Sequence, residues 1–226
     1  MSAPHPSPGA SSQPPPEDPG ADPGQDLRRR LQGVNLYLIG MMGSGKSAVG
    51  RPLAEALGYR FLDADTSLEQ VAGKAITELF ASDGEAGFRA LEAAVLNQIA
   101  TWHSLVVATG GGVVTRPENW GQLHQGVVIW LDAPDALLLQ RLTADPTPRP
   151  LLACADPAAR LSELLNERRP LYAQADLRIL QDGRSPQAVA LQVIEALPAI
   201  LRQRPAAPAQ PATLIDRDGA SAASLN

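Results

Sequence analysis

Residues Gly40–Ser47 read G-M-M-G-S-G-K-S, and this octapeptide restricts the possible folds more than any other part of the chain. Three glycines just before a lysine suit neither a helix nor a strand interior, because glycine loses the most backbone freedom on ordering. They do suit a loop in which backbone N–H groups converge on one anion with no Cβ in the way. The flanks agree. Val34–Gly40, VNLYLIG, is a short apolar run bounded by glycine, the pattern of a buried strand. In the following KSAVGRPLAEALG, Val49, Leu53 and Leu57 recur at a spacing of four and Gly58 marks a stop, which predicts a helix. Strand, loop and helix in this order fit G-x-x-x-x-G-K-[ST], the loop that cradles the phosphates of a nucleoside triphosphate. The helix N-terminus turns its partial positive charge to the same anion. Lys46 should reach the β- and γ-phosphates, and the Ser47 hydroxyl should ligate Mg²⁺.

The rest of the chain repeats the alternation of strand and helix. YRFLDAD, SLVVAT, GVVIWLD and DLRIL read as four more strands. Helical spacing covers about Ile76 to Ala100, then APDALLLQRLTAD, then a stretch from Asp156 expected to stop near Pro170, and last about Pro186 to Ile200. Such alternation argues for an α/β fold whose parallel sheet is covered on both faces. Ligands in these sheets bind beyond the carboxyl ends of the strands. The glycine- and aspartate-rich segments here all follow a predicted strand.

Composition separates this unit from its ends. The N-terminal stretch is Pro, Ser, Gly and acid with almost nothing to bury, and the segment after Gln203 is similar. The expected organisation is a disordered tail over 1–30, one folded domain over 31–202 and a disordered tail over 203–226. A formal net charge of −5 argues against a generic affinity for nucleic acid or anionic membrane. One cysteine, Cys154, rules out an internal disulfide and fits a reducing compartment. No apolar run reaches the roughly 18–20 residues that span a bilayer. No secretory signal stands at the N-terminus. A cytoplasmic location is the expectation.

The phosphate loop names a class of ligand, not a reaction. The N-K-x-D segment of guanine-specific proteins is absent, as is the signature of transport ATPases, which leaves a small-molecule or nucleotide kinase. Five further segments bear on the acceptor. Asp63 and Asp65 form D-A-D at the end of the second strand. Two carboxylates facing one way suit a metal partner and a group at the acceptor hydroxyl; a helix N-cap at Asp65 is the alternative. Arg89 and Glu92 in GEAGFRALE stand three apart on a helix, where a surface ion pair of little worth is the alternative. The three glycines Gly110–Gly112 make sense if a ligand or another backbone comes very close, or else form a flexible turn. Arg149, between prolines in PTPRPLL, fits a lid that closes on phosphates, or a surface loop with one charge. Arg168 and Arg169 in NERRPLY either bind an anion or offset the helix dipole.

The order and spacing of these segments are more telling than any one of them. Together they resemble the shikimate kinase family: phosphate loop, D-A-D, G-E-A-G-F-R-A-L-E, G-G-G, R-P-L-L and R-R-P-L-Y, from about Val34 to Leu180. The resemblance implies a nucleoside-monophosphate-kinase-like P-loop fold, a five-stranded parallel sheet flanked by helices, with a mobile lid. It implies transfer of the γ-phosphoryl of ATP to the 3-hydroxyl of shikimate, with Mg²⁺, in aromatic amino acid biosynthesis. Asp65, Lys46 and Arg149 take the catalytic roles by this likeness. Gly43, Ser44, Gly45, Lys46, Ser47, Ala48, Arg149 and Arg141 bind ATP, Arg141 by stacking on adenine. Asp65, Arg89, Gly111 and Arg168 bind shikimate, the two arginines gripping its carboxylate. Ser47 and Asp63 hold the metal, and Glu92 orients Arg89. A monomer acting on small molecules, with no nucleic acid or membrane partner, is expected. A gluconate or nucleotide kinase of the same fold, and a non-catalytic nucleotide-binding relative, are the competing readings.

Overall fold

The computed structural model describes residues 23–145 and 147–203. Five strands form one parallel sheet: β1 (Leu36–Ile39), β2 (Arg60–Asp63), β3 (Leu105–Ala108), β4 (Val127–Asp132) and β5 (Leu177–Leu180), in the spatial order β2-β3-β1-β4-β5. The three central strands are buried along their whole length, which is why they read as continuous apolar runs rather than alternating ones. Alternate residues nevertheless go to different cores. Leu36, Leu38, Val106, Val127, Ile129 and Leu131 pack on one face. Tyr37, Ile39, Leu105, Val107, Val128 and Trp130 pack on the other.

The first face is covered by α1 (Pro23–Leu31), α2 (Lys46–Leu57) and α8 (Pro186–Gln203). The second is covered by α3 (Ala64–Ala72), α4 (Ile76–Ala100) and α5 (Pro117–Leu123). Helices α6 (Asp135–Ala144) and α7 (Pro157–Tyr172) enclose a third small core of Met41, Ala133, Leu138, Leu161, Leu164 and Leu165 at one end of the sheet. The chain between them holds Arg149 and a short 3₁₀ turn, Pro150–Leu152.

Three elements differ from the sequence expectation. The N-terminal tail was expected to reach residue 30, yet Pro23–Leu31 is a helix whose Leu27 and Leu31 are buried. Two leucines four apart are enough to dock one turn of helix when a groove between α2 and α8 receives them. The remainder of both expected tails, 1–22 and 204–226, lies outside the described residues, as does Pro146 of the expected lid. Helix α7 passes through Pro170 to Tyr172 instead of stopping there. Proline near a helix end forfeits one backbone hydrogen bond, and the buried Tyr172 side chain holds the final turn. Helix α5 was not anticipated; its polar sequence gives little periodicity, and Pro117 at its start is the only strong signal.

Candidate active site

The loop after β1 folds as its glycines require. Gly40 has φ 141°, and a Cβ there would lie 2.6 Å from the Leu131 carbonyl oxygen. Gly45 is the N-cap of α2 with φ 90°. Lys46 curls back over the loop and donates to the carbonyls of Gly40 (2.9 Å) and Met41 (3.1 Å). Burial pulls its ammonium down to about 8, against the upward pull of the Asp65 and Asp63 carboxylates. Arg141, from the last turn of α6, donates to the Gly43 carbonyl at 3.1 Å and so lies against the same loop. Ser44 is fully buried, whereas Ala48 is exposed on the first turn of α2.

Asp63 ends β2 and caps α3, accepting from the backbone N–H groups of Asp65 and Thr66. The N-cap alternative raised for Asp65 is therefore filled by Asp63, and Asp65 stands one step on, in the first turn of the helix. The second Asp63 oxygen accepts the Ser47 hydroxyl at 2.5 Å. Serine and aspartate thus meet beside the phosphate loop from two different elements. Asp65 faces the interior. Burial raises its pKa, and the cations Lys46, Arg149 and Arg89 oppose that rise.

Arg89 and Glu92 are no surface pair. Both are buried, at 7% and 5% exposure, and Arg89 Nη1 donates to Glu92 Oε2 at 2.8 Å. Glu85 accepts from Nη2 at 3.3 Å. Burial also raises the Glu92 carboxyl, with Arg89 holding it back. The Gly110–Gly112 run makes this arrangement fit. A Cβ on Gly110 would sit 2.4 Å from Glu92 Oε1 and 3.0 Å from Asp65 Oδ1; one on Gly112 would overlap the Arg89 guanidinium at 2.2–2.5 Å. Gly111 packs on the phosphate loop, its Cβ position 3.3 Å from the Met42 nitrogen.

Asp65, Arg89, Gly111, Arg149 and Arg168 line one cavity of about 410 Å³. Phe88 and Phe80, with ring centroids 4.6 Å apart, give it an apolar wall. Arg168 is 4% exposed, and its Nε and Nη1 have no hydrogen-bond partner among the described residues; Nε of Arg89 and of Arg149 are likewise buried without one there. Buried donors of this kind call for an anion. Arg169 turns the other way and pairs with Asp135 at the start of α6. Arg149 donates to Asp145 at 2.7 Å, and Thr147 bonds the same carboxylate through both its N–H and its hydroxyl. These bonds hold Asp145 at about 2. Asp145 and Tyr172, which bond Arg149 and the Gly111 carbonyl of the cavity lining, were given no role from the sequence. The first had a signal, an Asx turn in D-P-T-P-R; the second was visible only as part of the R-R-P-L-Y match.

The family model for shikimate kinase matches residues 42–198, more than half of the chain. The chain belongs to the shikimate kinase family. The shikimate kinase of Synechococcus sp. strain RCC307 is 59% identical over 187 residues, covering 83% of this chain and 95% of that protein. That of Parasynechococcus marenigrum strain WH8102 is 60% identical over 176 residues, 78% and 92% of the two chains. Among solved structures, the Acinetobacter baumannii shikimate kinase in complex with shikimate superposes with a TM-score of 0.73 at 38% identity, over 76% of this chain and 97% of that one. The expected five-stranded parallel sheet with flanking helices is the fold of this kinase family. The activity that goes with the family is ATP-dependent phosphorylation of shikimate, a reaction of aromatic biosynthesis.

Proposed function

We propose that this chain transfers the γ-phosphoryl of ATP to the 3-hydroxyl of shikimate, with the residues above in distinct roles. The observation that carries the assignment is the convergence of Arg89 and Arg168, both buried and both with unpartnered N–H groups, on the cavity that Asp65 also lines. A planar carboxylate on the acceptor matches the guanidinium forks in charge and shape. With the carboxylate at that end, the ring hydroxyls face Asp65. Burial raises Asp65 toward the working range of a general base, and it receives the proton of the attacking hydroxyl. The backbone of Gly111 packs against the ring.

The nucleotide phosphates lie on the loop backbone from Gly43 to Ala48. Lys46 exchanges its two loop carbonyls for phosphate oxygens, and those anions favour its charged form. Arg141, already against Gly43, extends toward the base. Arg149 meets the transferring group, where charge spreads over three oxygens in the transition state. Kinases of this kind use a divalent cation, and Mg²⁺ fits the oxygen donors here: the Ser47 hydroxyl as direct ligand and Asp63 as its outer partner. Bound there, the ion would supply positive charge against that of the phosphates. We read the segment around Arg149 as a lid that moves and the enzyme as a monomer, and its single, free Cys154 fits a cytoplasmic location. No helix among the described residues is long and apolar enough to cross a membrane.

The test is a coupled ADP-release assay with Mg·ATP, run with shikimate and, in parallel, quinate and gluconate. ADP release that depends on shikimate and yields the 3-phosphate is the expected result. Equal turnover of quinate or gluconate overturns the assignment of the acceptor site.

A further inference from the structure

Tyr172 has no part in the chemistry above, yet it stands in an unusual place. Its ring is fully buried in the core beneath the sheet, and the ring centroid is 5.8 Å from that of Trp130 in a stacked arrangement. A buried phenol needs a hydrogen-bond partner. This one donates to the carbonyl oxygen of Gly111, in the glycine run after β3. The same hydroxyl lies against the Arg168 guanidinium, and burial pushes its pKa up to about 12, so it stays a donor. Arg168 and Tyr172 are four residues apart, on one face of the last turns of α7. Gly111 in turn rests on the phosphate loop at Met42.

We propose that Tyr172 is a positioning residue for the acceptor. It ties the end of α7, which carries Arg168, to the loop that backs the substrate ring. The ring anchor in the core makes the tie rigid. Arg168 itself has few bonds: its Nε and Nη1 have no hydrogen-bond partner among the described residues. A guanidinium held so loosely depends on its neighbours for its angle. Tyr172 supplies that neighbour, and it fixes the distance between the cation and Gly111 at the same time. Loss of the hydroxyl leaves the ring packing intact but frees Gly111 and Arg168 from each other. The expected consequence is a weaker hold on the acceptor carboxylate with little change at the nucleotide.

This inference rests on the reading that Arg168 binds the carboxylate, so the experiment separates the two. Shikimate and its methyl ester are compared as acceptors in wild type, Arg168→Ala and Tyr172→Phe. Arg168→Ala should cut the preference for the acid over the ester at least about tenfold, with Arg89 keeping the remainder; if the preference is unchanged, the reading that Arg168 binds the carboxylate falls. Tyr172→Phe should raise the KM for shikimate by about fivefold to tenfold, the worth of one hydrogen bond. It should leave kcat within about twofold, the KM for ATP unchanged and the KM for the ester nearly so. A merely structural tyrosine gives a different pattern: a lower Tm with the shikimate KM unmoved, or equal rises for acid, ester and ATP. Either pattern overturns the proposal.

Discussion

At Asp65 opposing influences meet. Burial raises its carboxyl, Asp63 adds to the rise, and Lys46, Arg149 and Arg89 pull it down. Asn keeps the shape of this side chain but cannot take a proton. Asp65→Asn should therefore keep the fold and most ATP affinity while kcat falls by at least about 10²-fold. Turnover and nucleotide binding measured on one preparation check this, and an unchanged kcat removes Asp65 from the proton transfer. Gly112 is a second informative position. Any Cβ there meets three atoms of the Arg89 guanidinium within 2.5 Å, and Arg89 is itself held by Glu92. Gly112→Ala should displace the guanidinium and raise the shikimate KM by about tenfold or more, with the ATP KM little changed. Kinetics that leave the shikimate KM in place show that the loop yields instead. The sequence reading took the glycine run as a sign that something comes very close. At Gly111 it is another backbone, the phosphate loop at Gly40 and Met42, as expected; at Gly110 and Gly112 it is the protein's own Glu92, Asp65 and Arg89 side chains. Sequence spacing could not show that, because these side chains lie on α3 and α4 and meet the run only once both pack over β3.

Helix α4 shows what is legible at the scale of an element and what is hidden. Its limits, Ile76 and Ala100, follow from its apolar spacing. Its break does not. Gly84 has φ 68° and ψ −177°, a conformation close to glycine-only, which splits the element into a short segment at the cavity mouth and a long one that carries Arg89 and Glu92. A Cβ at Gly84 meets nothing within 4 Å, so substitution there tests backbone strain alone. Gly84→Ala should lower stability by about 1–3 kcal/mol, read by denaturant titration. No loss of stability would mean that the two segments straighten into one helix at no cost. The strands were legible for a plain reason: a strand buried on both faces must be apolar throughout. Helices α1 and α5 were not, since each buries only one narrow stripe of a mostly polar sequence. The continuation of α7 past Pro170 was hidden for another reason. Proline penalises a helix locally, and the contact that outweighs it, Tyr172 on Trp130 and Gly111, is distant in sequence.

For the molecule as a whole, α1, which like β1 precedes the match to the family model at residues 42–198, is the element that was expected to be tail. It is not a passive extension. Leu27 and Leu31 are 2% and 1% exposed, in the same core as β1, α2 and α8. Arg28 lies over the end of α2, its Nη1 2.7 Å from where a Cβ of Gly58 would be. A cation at that point favours the C-terminal end of the helix that begins at the phosphate loop. Arg30 donates to the Pro198 carbonyl in α8 at 3.2 Å. Helix α1 therefore clamps α2 to α8 on the face of the sheet away from the acceptor cavity, and none of its residues lines that cavity. Stability and catalysis should separate here. A chain that starts at Gln32 exposes the sockets of two leucines, a loss of about 3–6 kcal/mol. The expected fall in Tm is on the order of 10 °C. At a temperature well below that transition, kcat and both KM values should match the full chain. An unchanged Tm would return α1 to the status of a tail; a raised shikimate KM in the cold would mean that the clamp reaches through α2 to the site.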